Sequence, residues 1–117
     1  MQTLFRGIAT ALVTPMTPSG VDYAALEALI EWQIDQGVQG LVVCGTSGEA
    51  STLTDAERCR VVETAVQAAG GRVPVIAGTG SNNTAHAIAL TRQAEQLGAD
   101  GALVVTPYYN KATQAGL

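Results

Sequence analysis

Short apolar runs alternate with longer segments of helical period along the chain, and this alternation constrains the fold more than any other feature. The runs are Gly7–Thr14, Gly40–Cys44, Pro74–Ala77 and Gly101–Thr106. Each run is nearly continuous in apolar residues, which is typical of parallel strands buried on both faces. Successive runs begin roughly 30 residues apart, the spacing of a β-α unit. The sequence therefore predicts one α/β domain over residues 1–117, in the order β-α-β-α-β-α-β.

The segments between the runs predict three helices. The first is expected over about Asp22 to Gln36, the second opens with a capping box of Thr54 and Glu57, and the third begins near Asn82 or Asn83. The third helix is predicted to direct four residues inward: Ile88, Thr91, Ala94 and Leu97. Each helix is expected to end at a glycine, which takes the left-handed conformation without steric cost: Gly37, Gly70 and Gly98.

Charge and composition exclude several classes of function. Six Lys+Arg stand against ten Asp+Glu, so nucleic acid and anionic membranes are poor partners. Only 14% of residues are charged, well below the roughly 25% usual for globular chains, which indicates that much of the surface is covered by other protein. Cys44 and Cys59 are predicted to be buried thiols, which fits a reducing cytosol. A single histidine, His86, and no C-x-x-C spacing predict no metal site.

Polar and glycine-rich segments follow each predicted strand, where ligands bind in parallel α/β folds. The segment Gly45-Thr46-Ser47-Gly48-Glu49 places two hydroxyls between glycines after a buried strand. Its hydroxyls and backbone amides can hold a small carboxylate or phosphate, or the hydroxyls can cap their own loop. Both interpretations remain open on the residues alone.

The pair Tyr108-Tyr109 follows the last predicted strand in a chain that is only 4% aromatic. A tyrosine hydroxyl in a polar cleft can relay protons, and tyrosine is also enriched at subunit contacts. Other catalytic patterns fail: the spacing of a nucleophile elbow is missing, and Gly78-Thr79-Gly80 lacks the third glycine of a dinucleotide fingerprint. Lys111, the only lysine, stands outside any P-loop.

Four motifs in order resemble the dihydrodipicolinate synthase (4-hydroxy-tetrahydrodipicolinate synthase) family, within the pyruvate-dependent class I aldolases that include N-acetylneuraminate lyase. The motifs are Val13-Thr14-Pro15, Gly45 to Glu49, Val75 to Gly80 and Val105-Thr106-Pro107-Tyr108-Tyr109-Asn110. The resemblance implies a TIM (β/α)8 barrel, of which residues 1–117 form the N-terminal half. It also implies a cytoplasmic lyase of lysine and diaminopimelate biosynthesis that assembles as a dimer or homotetramer and needs no cofactor.

In this family a lysine forms a Schiff base with pyruvate, and the enamine then attacks L-aspartate semialdehyde. By position, Thr46 resembles the catalytic hydroxyl that links two tyrosines of a proton relay. Ser47 stands where the family usually has threonine and resembles the residue that binds the pyruvate carboxylate. Tyr109 resembles the catalytic relay tyrosine contributed to a neighbouring subunit, and Tyr108 resembles an interface aromatic.

Two departures from the family limit what the chain does alone. The Schiff-base lysine, a second relay tyrosine and a substrate-binding arginine are expected after Leu117, because Lys111 follows the fourth strand rather than the sixth. The chain alone is therefore expected to be inactive and to be stable only with the missing half of the barrel. His86 occupies the place of an acidic residue that holds the feedback ligand in lysine-inhibited members, which implies weak inhibition by lysine.

Three alternatives stay open at this point. The first is an aldolase for N-acetylneuraminate or a 2-keto-3-deoxy sugar acid, which uses the same pyruvate chemistry with a different acceptor. The chain can also be a catalytically inactive half-barrel that serves folding or assembly alone. A small doubly wound nucleotide-binding domain is the third alternative, and the poor glycine fingerprint argues against it.

Overall fold

The computed structural model describes residues 2–117. In chain order its strands and α-helices are β1 (Ala9–Ala11), β2 (Met16–Thr17), β3 (Gly20–Val21), α1 (Tyr23–Asp35), β4 (Gly40–Val43), α2 (Asp55–Ala69), β5 (Val75–Gly78), α3 (Thr84–Gln96) and β6 (Gly101–Leu103). Two short 3-10 helices lie at Ala50–Thr52 and Gln114–Gly116. No helix within residues 2–117 has the length and apolar character needed to cross a membrane.

Strands β1, β4, β5 and β6 form one parallel sheet in that spatial order, and β2 and β3 form a separate antiparallel hairpin. The predicted order of four parallel strands and three helices is confirmed. The hairpin is an addition that the sequence analysis missed, because each of its strands has only two residues and carries no apolar alternation.

Two strands are shorter than predicted because each lies at an edge of the sheet and has a single neighbour. The run Gly7–Thr14 pairs only over Ala9–Ala11, and the run Gly101–Thr106 pairs only over Gly101–Leu103. Beyond Leu103 no residue within 2–117 continues the pairing, since β5 ends at Gly78, which is opposite Leu103. The apolar runs correctly predicted where strands occur, whereas the length of each strand depends on how far its neighbour pairs with it.

The core lies between one face of the sheet and the helices. Leu41, Val43, Val75 and Ala77 of the two central strands are almost fully buried, as are Leu26 and Ile30 of α1 and Val61 and Ala65 of α2. The opposite face carries Ala11, Val42, Ile76 and Gly101, which share one register and are less buried. The prediction of burial on both faces is therefore wrong for residues 2–117, because four strands do not close around their own interior.

The helix boundaries follow local signals that the sequence predicted. The Asp22 carboxylate accepts from the Ala25 backbone N–H at 3.0 Å, and Asn83 caps α3 in the same way. The capping box at α2 is present, with the Thr54 hydroxyl and the Glu57 carboxylate each accepting from the other residue's backbone N–H at 3.1 Å. The three predicted glycines follow the helices with positive φ: 88° at Gly37, 56° at Gly70 and 92° at Gly98.

One prediction for α3 is wrong. Ile88 is 47% exposed instead of inward-facing, whereas Leu90, which was not predicted to face inward, is buried together with the predicted Ala94. Thr91 and Leu97 are partly buried. The inward stripe of α3 is thus centred on Leu90 and Ala94, and this phase turns Ile88 towards solvent.

Candidate active site

A tight turn follows β4 and contains the two adjacent hydroxyls. Cys44 adopts a φ of 56°, which turns the chain sharply at the end of the strand. The backbone N–H of Gly48 then donates to the Gly45 carbonyl at 3.1 Å, and that of Glu49 donates to the Thr46 carbonyl at 3.0 Å. The turn therefore holds itself together through its own backbone.

The same turn is fixed to the end of β1. The buried Thr14 hydroxyl donates to the Gly48 carbonyl at 2.7 Å. Gly48 lies so close that a Cβ there would be 3.2 Å from both the Cys44 nitrogen and the Leu12 carbonyl oxygen. The strand ends that the sequence predicts to lie together are thus in contact at this point.

Thr46 and Ser47 keep their hydrogen-bond donors free. Both side chains are exposed, and in the part of the chain that the structure describes neither their hydroxyls nor their backbone N–H groups make a hydrogen bond. The alternative interpretation, in which these hydroxyls cap their own loop, is therefore wrong. Two hydroxyls and two amide N–H groups remain as donors for a small anionic group.

An open pocket of about 390 Å³ lies beside this turn. Its lining includes Thr46 from the turn, Ser51 from the following 3-10 helix, and Leu103 and Tyr108 from the last strand and its loop. The structure thus brings Thr46 and Tyr108 to one pocket. Ser47 and Tyr109 lie outside the lining.

Two glycines after β5 allow the strand ends to approach each other. A Cβ at Gly78 would lie 2.0 Å from the Cys44 carbonyl oxygen, and one at Gly80 would lie 2.5 Å from a Val105 methyl carbon. Between them Thr79 is buried, and its hydroxyl oxygen accepts from Thr91 at 2.8 Å. The Gly78-Thr79-Gly80 motif therefore serves close packing between the strand ends.

Arg58 is a pocket residue that the sequence analysis missed. It lies in the first turn of α2, its Nε donates to the Ala50 carbonyl at 3.1 Å, and its side chain lines the pocket. The capping box at Thr54 fixes where α2 begins and hence where Arg58 points. The sequence contains the capping box, so the start of α2 could be predicted. The packing of α2 beside the strand ends, which brings Arg58 to the pocket, could not be predicted from the sequence.

The thiol of Cys44 is buried behind the turn, and burial raises its pKa to about 11, with the nearby Arg58 opposing the rise. It stays protonated near neutral pH and is a poor nucleophile. Cys59 is only half-buried, so the prediction of two buried thiols is confirmed for Cys44 alone.

His86 joins the N-terminal ends of α2 and α3. Its Nε2 lies 3.0 Å from both carboxylate oxygens of Asp55, and its Nδ1 lies 3.2 Å from the Ser81 hydroxyl. These contacts confirm the interpretation of His86 as a neighbour-contacting residue. No group of three His, Cys, Asp or Glu within residues 2–117 is arranged to hold a metal ion.

Tyr109 projects from the body of the protein. Its side chain is 99% exposed and its φ is 74°, a left-handed conformation that is uncommon for a non-glycine residue. Lys111 is also exposed in the same loop. Within residues 2–117 neither residue makes a hydrogen bond to the Thr46 turn.

A family model described as the dihydrodipicolinate synthetase family matches residues 4–117. The chain belongs to this family. The 4-hydroxy-tetrahydrodipicolinate synthase of Nitratidesulfovibrio vulgaris is 58% identical over 97% of this chain and 39% of that protein. The dihydrodipicolinate synthase of Aquifex aeolicus, known from its crystal structure, is 54% identical, with a TM-score of 0.91 over 96% of this chain and 38% of that one.

A third dihydrodipicolinate synthase, from Acinetobacter baumannii, was crystallised in complex with pyruvate. It is 52% identical, and its TM-score is 0.93 over 97% of this chain and 39% of that one. The chain thus spans about two-fifths of the length of the family members that it matches. The predicted resemblance is confirmed, and so is the fold class: the four parallel strands are part of a (β/α)8 barrel.

Proposed function

We propose that the chain carries the N-terminal part of the active site of an enzyme that condenses pyruvate with L-aspartate semialdehyde. Pyruvate is held as a lysine Schiff base, and the reaction belongs to lysine and diaminopimelate biosynthesis. The observation that carries the proposal is the Thr46-Ser47 turn, whose hydroxyls and N–H groups are free at the carboxyl end of β4. Membership of the dihydrodipicolinate synthetase family and the pyruvate complex of the 52% identical relative support it.

Ser47 binds the pyruvate carboxylate in this proposal. Its hydroxyl and its backbone N–H can both donate to one carboxylate, and hydrogen bonds to an ionised acceptor are about twice as strong as neutral ones. Serine keeps both of the donors that the family's usual threonine has. The turn is held rigid by its own backbone bonds and by Thr14, so the donors do not need to be ordered when the substrate binds.

Thr46 and Tyr109 form part of a proton relay. Thr46 lines the open pocket, and a hydroxyl there can pass a proton between two tyrosines. The full exposure of Tyr109 supports a role in the pocket of a neighbouring subunit, with Tyr108 packing at the same contact. The enzyme is accordingly proposed to be a cytoplasmic homo-oligomer, a dimer or tetramer, that acts without a cofactor.

The nucleophilic lysine is assigned to the part of the relatives that this chain does not match. Lys111 is the chain's only lysine, and it lies in the exposed loop after β6 rather than on a strand of the barrel. A Schiff-base lysine is activated by an enclosed site or by neighbouring charges, whereas the Lys111 side chain is exposed. The chain alone is therefore expected to form no Schiff base with pyruvate.

A chimera tests the proposal. The chain is joined to the residues that follow the matched region in the Nitratidesulfovibrio vulgaris synthase, and pyruvate is trapped with borohydride and located by mass spectrometry. We expect one adduct on a lysine of the added segment and condensation with L-aspartate semialdehyde in preference to sugar-acid acceptors. An adduct on Lys111, or a folded chimera that prefers sugar acids, contradicts the proposal.

Substitutions of Ser47 test its role in the same chimera. Ser47→Ala removes the hydroxyl but keeps the backbone N–H, so the KM for pyruvate is expected to rise about tenfold, the effect of roughly one lost charge-assisted hydrogen bond. Ser47→Thr is the matched control and should leave KM nearly unchanged. Steady-state kinetics with pyruvate as the varied substrate give both values, and an unchanged KM in Ser47→Ala removes Ser47 from the binding site.

A further inference from the structure

A backbone hydrogen bond inside the turn after β4 decides which way the free N–H of Ser47 points. The Glu49 N–H donates to the Thr46 carbonyl at 3.0 Å. No peptide bond within residues 2–117 is cis, and in a planar trans peptide the C=O and the N–H point in opposite directions. The Thr46 carbonyl shares its peptide group with the Ser47 N–H. The bond from Glu49 therefore directs the Ser47 N–H away from the turn.

The Glu49 N–H is in turn linked to the end of β1 through Thr14. It shares its peptide group with the Gly48 carbonyl, which accepts from the buried Thr14 hydroxyl at 2.7 Å. The Thr14 hydroxyl thus holds one side of this peptide group, and the Thr46 carbonyl holds the other side. Two peptide groups in succession therefore connect the Thr14 hydroxyl to the Ser47 N–H.

The peptide group between Gly48 and Glu49 has little room to rotate. A Cβ at Gly48 would lie 3.3 Å from the Thr14 hydroxyl oxygen, and 3.2 Å from backbone atoms on two other sides. Cys44 and Glu49, at the two ends of the turn, have left-handed φ values of 56° and 54°. Non-glycine residues keep such conformations only where the surrounding structure enforces them. The turn is therefore held from outside, and Thr14 is the side chain that reaches it from another strand.

Thr14 is itself fixed by its neighbours. It comes directly before Pro15, and a residue before proline is restricted to extended conformations. The Pro15 carbonyl accepts from the Asp22 N–H at 2.8 Å, and the Asp22 carboxylate caps α1. Thr14 is therefore tied to the base of the β2-β3 hairpin and to the start of α1, and no substrate is needed to order it.

We infer that Thr14 is a positioning residue for the pyruvate carboxylate, and that it acts through the Ser47 N–H rather than through the Ser47 hydroxyl. The inference rests on the proposed function, in which Ser47 binds this carboxylate. Hydrogen bonds that follow one another polarise each other, so the bond from Thr14 also makes the Ser47 N–H a stronger donor to an anion. Thr14 does not touch the substrate, because its hydroxyl is buried against the Gly48 carbonyl.

Thr14→Val in the chimera removes this hydroxyl and keeps the shape of the side chain. We expect the KM for pyruvate to rise about three- to tenfold while kcat stays within about twofold, because the Ser47 N–H holds the carboxylate equally before and during the reaction. A purely structural role would lower the fraction of folded enzyme, which lowers kcat and leaves KM unchanged. Thr14→Ser keeps the hydroxyl and should restore KM.

Thr10→Val is the matched control on the same strand. The Thr10 hydroxyl is buried and makes no hydrogen bond within residues 2–117, so its removal should leave KM and kcat unchanged.

A double substitution separates the Ser47 N–H from the Ser47 hydroxyl. Ser47→Ala removes the hydroxyl and keeps the N–H, so adding Thr14→Val should raise KM again by the same factor as it does alone. If Thr14 oriented the Ser47 hydroxyl instead, Thr14→Val would have no effect in the Ser47→Ala background. That result contradicts the inference.

Hydrogen exchange tests the link between Thr14 and the turn without any catalysis. In the substrate-free chimera, Thr14→Val should speed exchange of the Glu49 N–H about tenfold, because its peptide group loses an anchor, whereas Thr14→Ser and Thr10→Val should not. Mass spectrometry of the peptide spanning residues 44–53 measures the rate.

Failure of the proposed function has a different signature. The unsubstituted chimera then forms no pyruvate adduct, while the exchange pattern persists. Exchange in Thr14→Val that matches the unsubstituted chimera overturns the inference, and so does a raised KM that Thr14→Ser does not restore.

Discussion

At the scale of single residues, the site combines exposed donors with a buried support. Thr46 and Ser47 offer free hydroxyls, and Thr14 beneath them holds the Gly48 carbonyl. The sequence predicted Thr46 and Ser47 because two hydroxyls between glycines after a buried strand form a local pattern. Arg58 was not predicted, because no local sequence pattern marks it. Only the packing of α2 against the strand ends brings it to the pocket.

The buried Cys44 thiol makes the free energy of unfolding fall with rising pH in the alkaline range. Its pKa is raised from 9.0 to about 11 in the folded state, chiefly by burial, so the folded chain holds this proton more tightly than the unfolded chain. Stability from this group is complete below about pH 9 and is lost as pH rises towards 11, by about 2–3 kcal/mol in total. Urea unfolding of the chimera described above at about pH 8 and about pH 10.5 measures the loss.

Cys44→Ala is the comparison for that measurement. It removes the titrating group, so its stability should fall less between the two pH values than that of the original chain. The half-buried Cys59 stays in both proteins and cancels in the comparison. Equal pH dependence in the two proteins contradicts the assignment.

At the scale of elements, local signals decided where helices begin and end, and long-range pairing decided where strands end. The caps at Asp22, Thr54 and Asn83 use atoms within three residues, so the sequence predicts them. The ends of β1 and β6 depend on neighbouring strands that are distant in sequence, and both were predicted too long. The phase of α3 was misjudged at Ile88 for the same reason, since the sheet selects the inward stripe.

The contact between β5 and the turn after β4 is the tightest of these long-range features. Gly78→Ala would place a Cβ 2.0 Å from the Cys44 carbonyl oxygen, so the strand ends have to separate. Overpacking of this kind costs about 1–3 kcal/mol, and more where backbone is the obstacle. We expect Gly78→Ala to lower the free energy of unfolding of the chimera by at least the upper part of that range, as measured by urea denaturation.

Gly45→Ala is the matched control in the same turn. A Cβ there meets only a Val42 methyl carbon at 3.7 Å, an ordinary contact, and Gly45 does not have a positive φ. Its stability should stay within about 0.5 kcal/mol of the original. Equal losses in the two variants contradict the proposed close approach.

At the scale of the whole molecule, the uncovered apolar surfaces of the sheet account for the low fraction of charged residues. One sheet face and two sheet edges are apolar and uncovered within residues 2–117, and the matched relatives are about two and a half times as long as the region they share with this chain. The sequence predicted the partial barrel from its motifs.

Inhibition by lysine tests the assembled enzyme. His86 stands where lysine-inhibited members are expected to have an acidic residue, and its ring is already engaged with Asp55 and Ser81. Without a carboxylate at that position, the amine of a feedback ligand loses a charge-assisted partner. We expect the active chimera to keep most of its activity in millimolar lysine, as measured in the condensation assay, and strong inhibition there contradicts the expectation.

The close approach of Gly78 to the Cys44 carbonyl has a consequence for protein engineering. The turn after β4 and the segment after β5 rest on each other's backbone, without a flexible side chain between them. A loop grafted from another family member at either position therefore has to fit against the backbone of the neighbouring loop. Exchanging the two segments together, as one cassette from a single donor, should preserve the geometry that separate exchanges destroy.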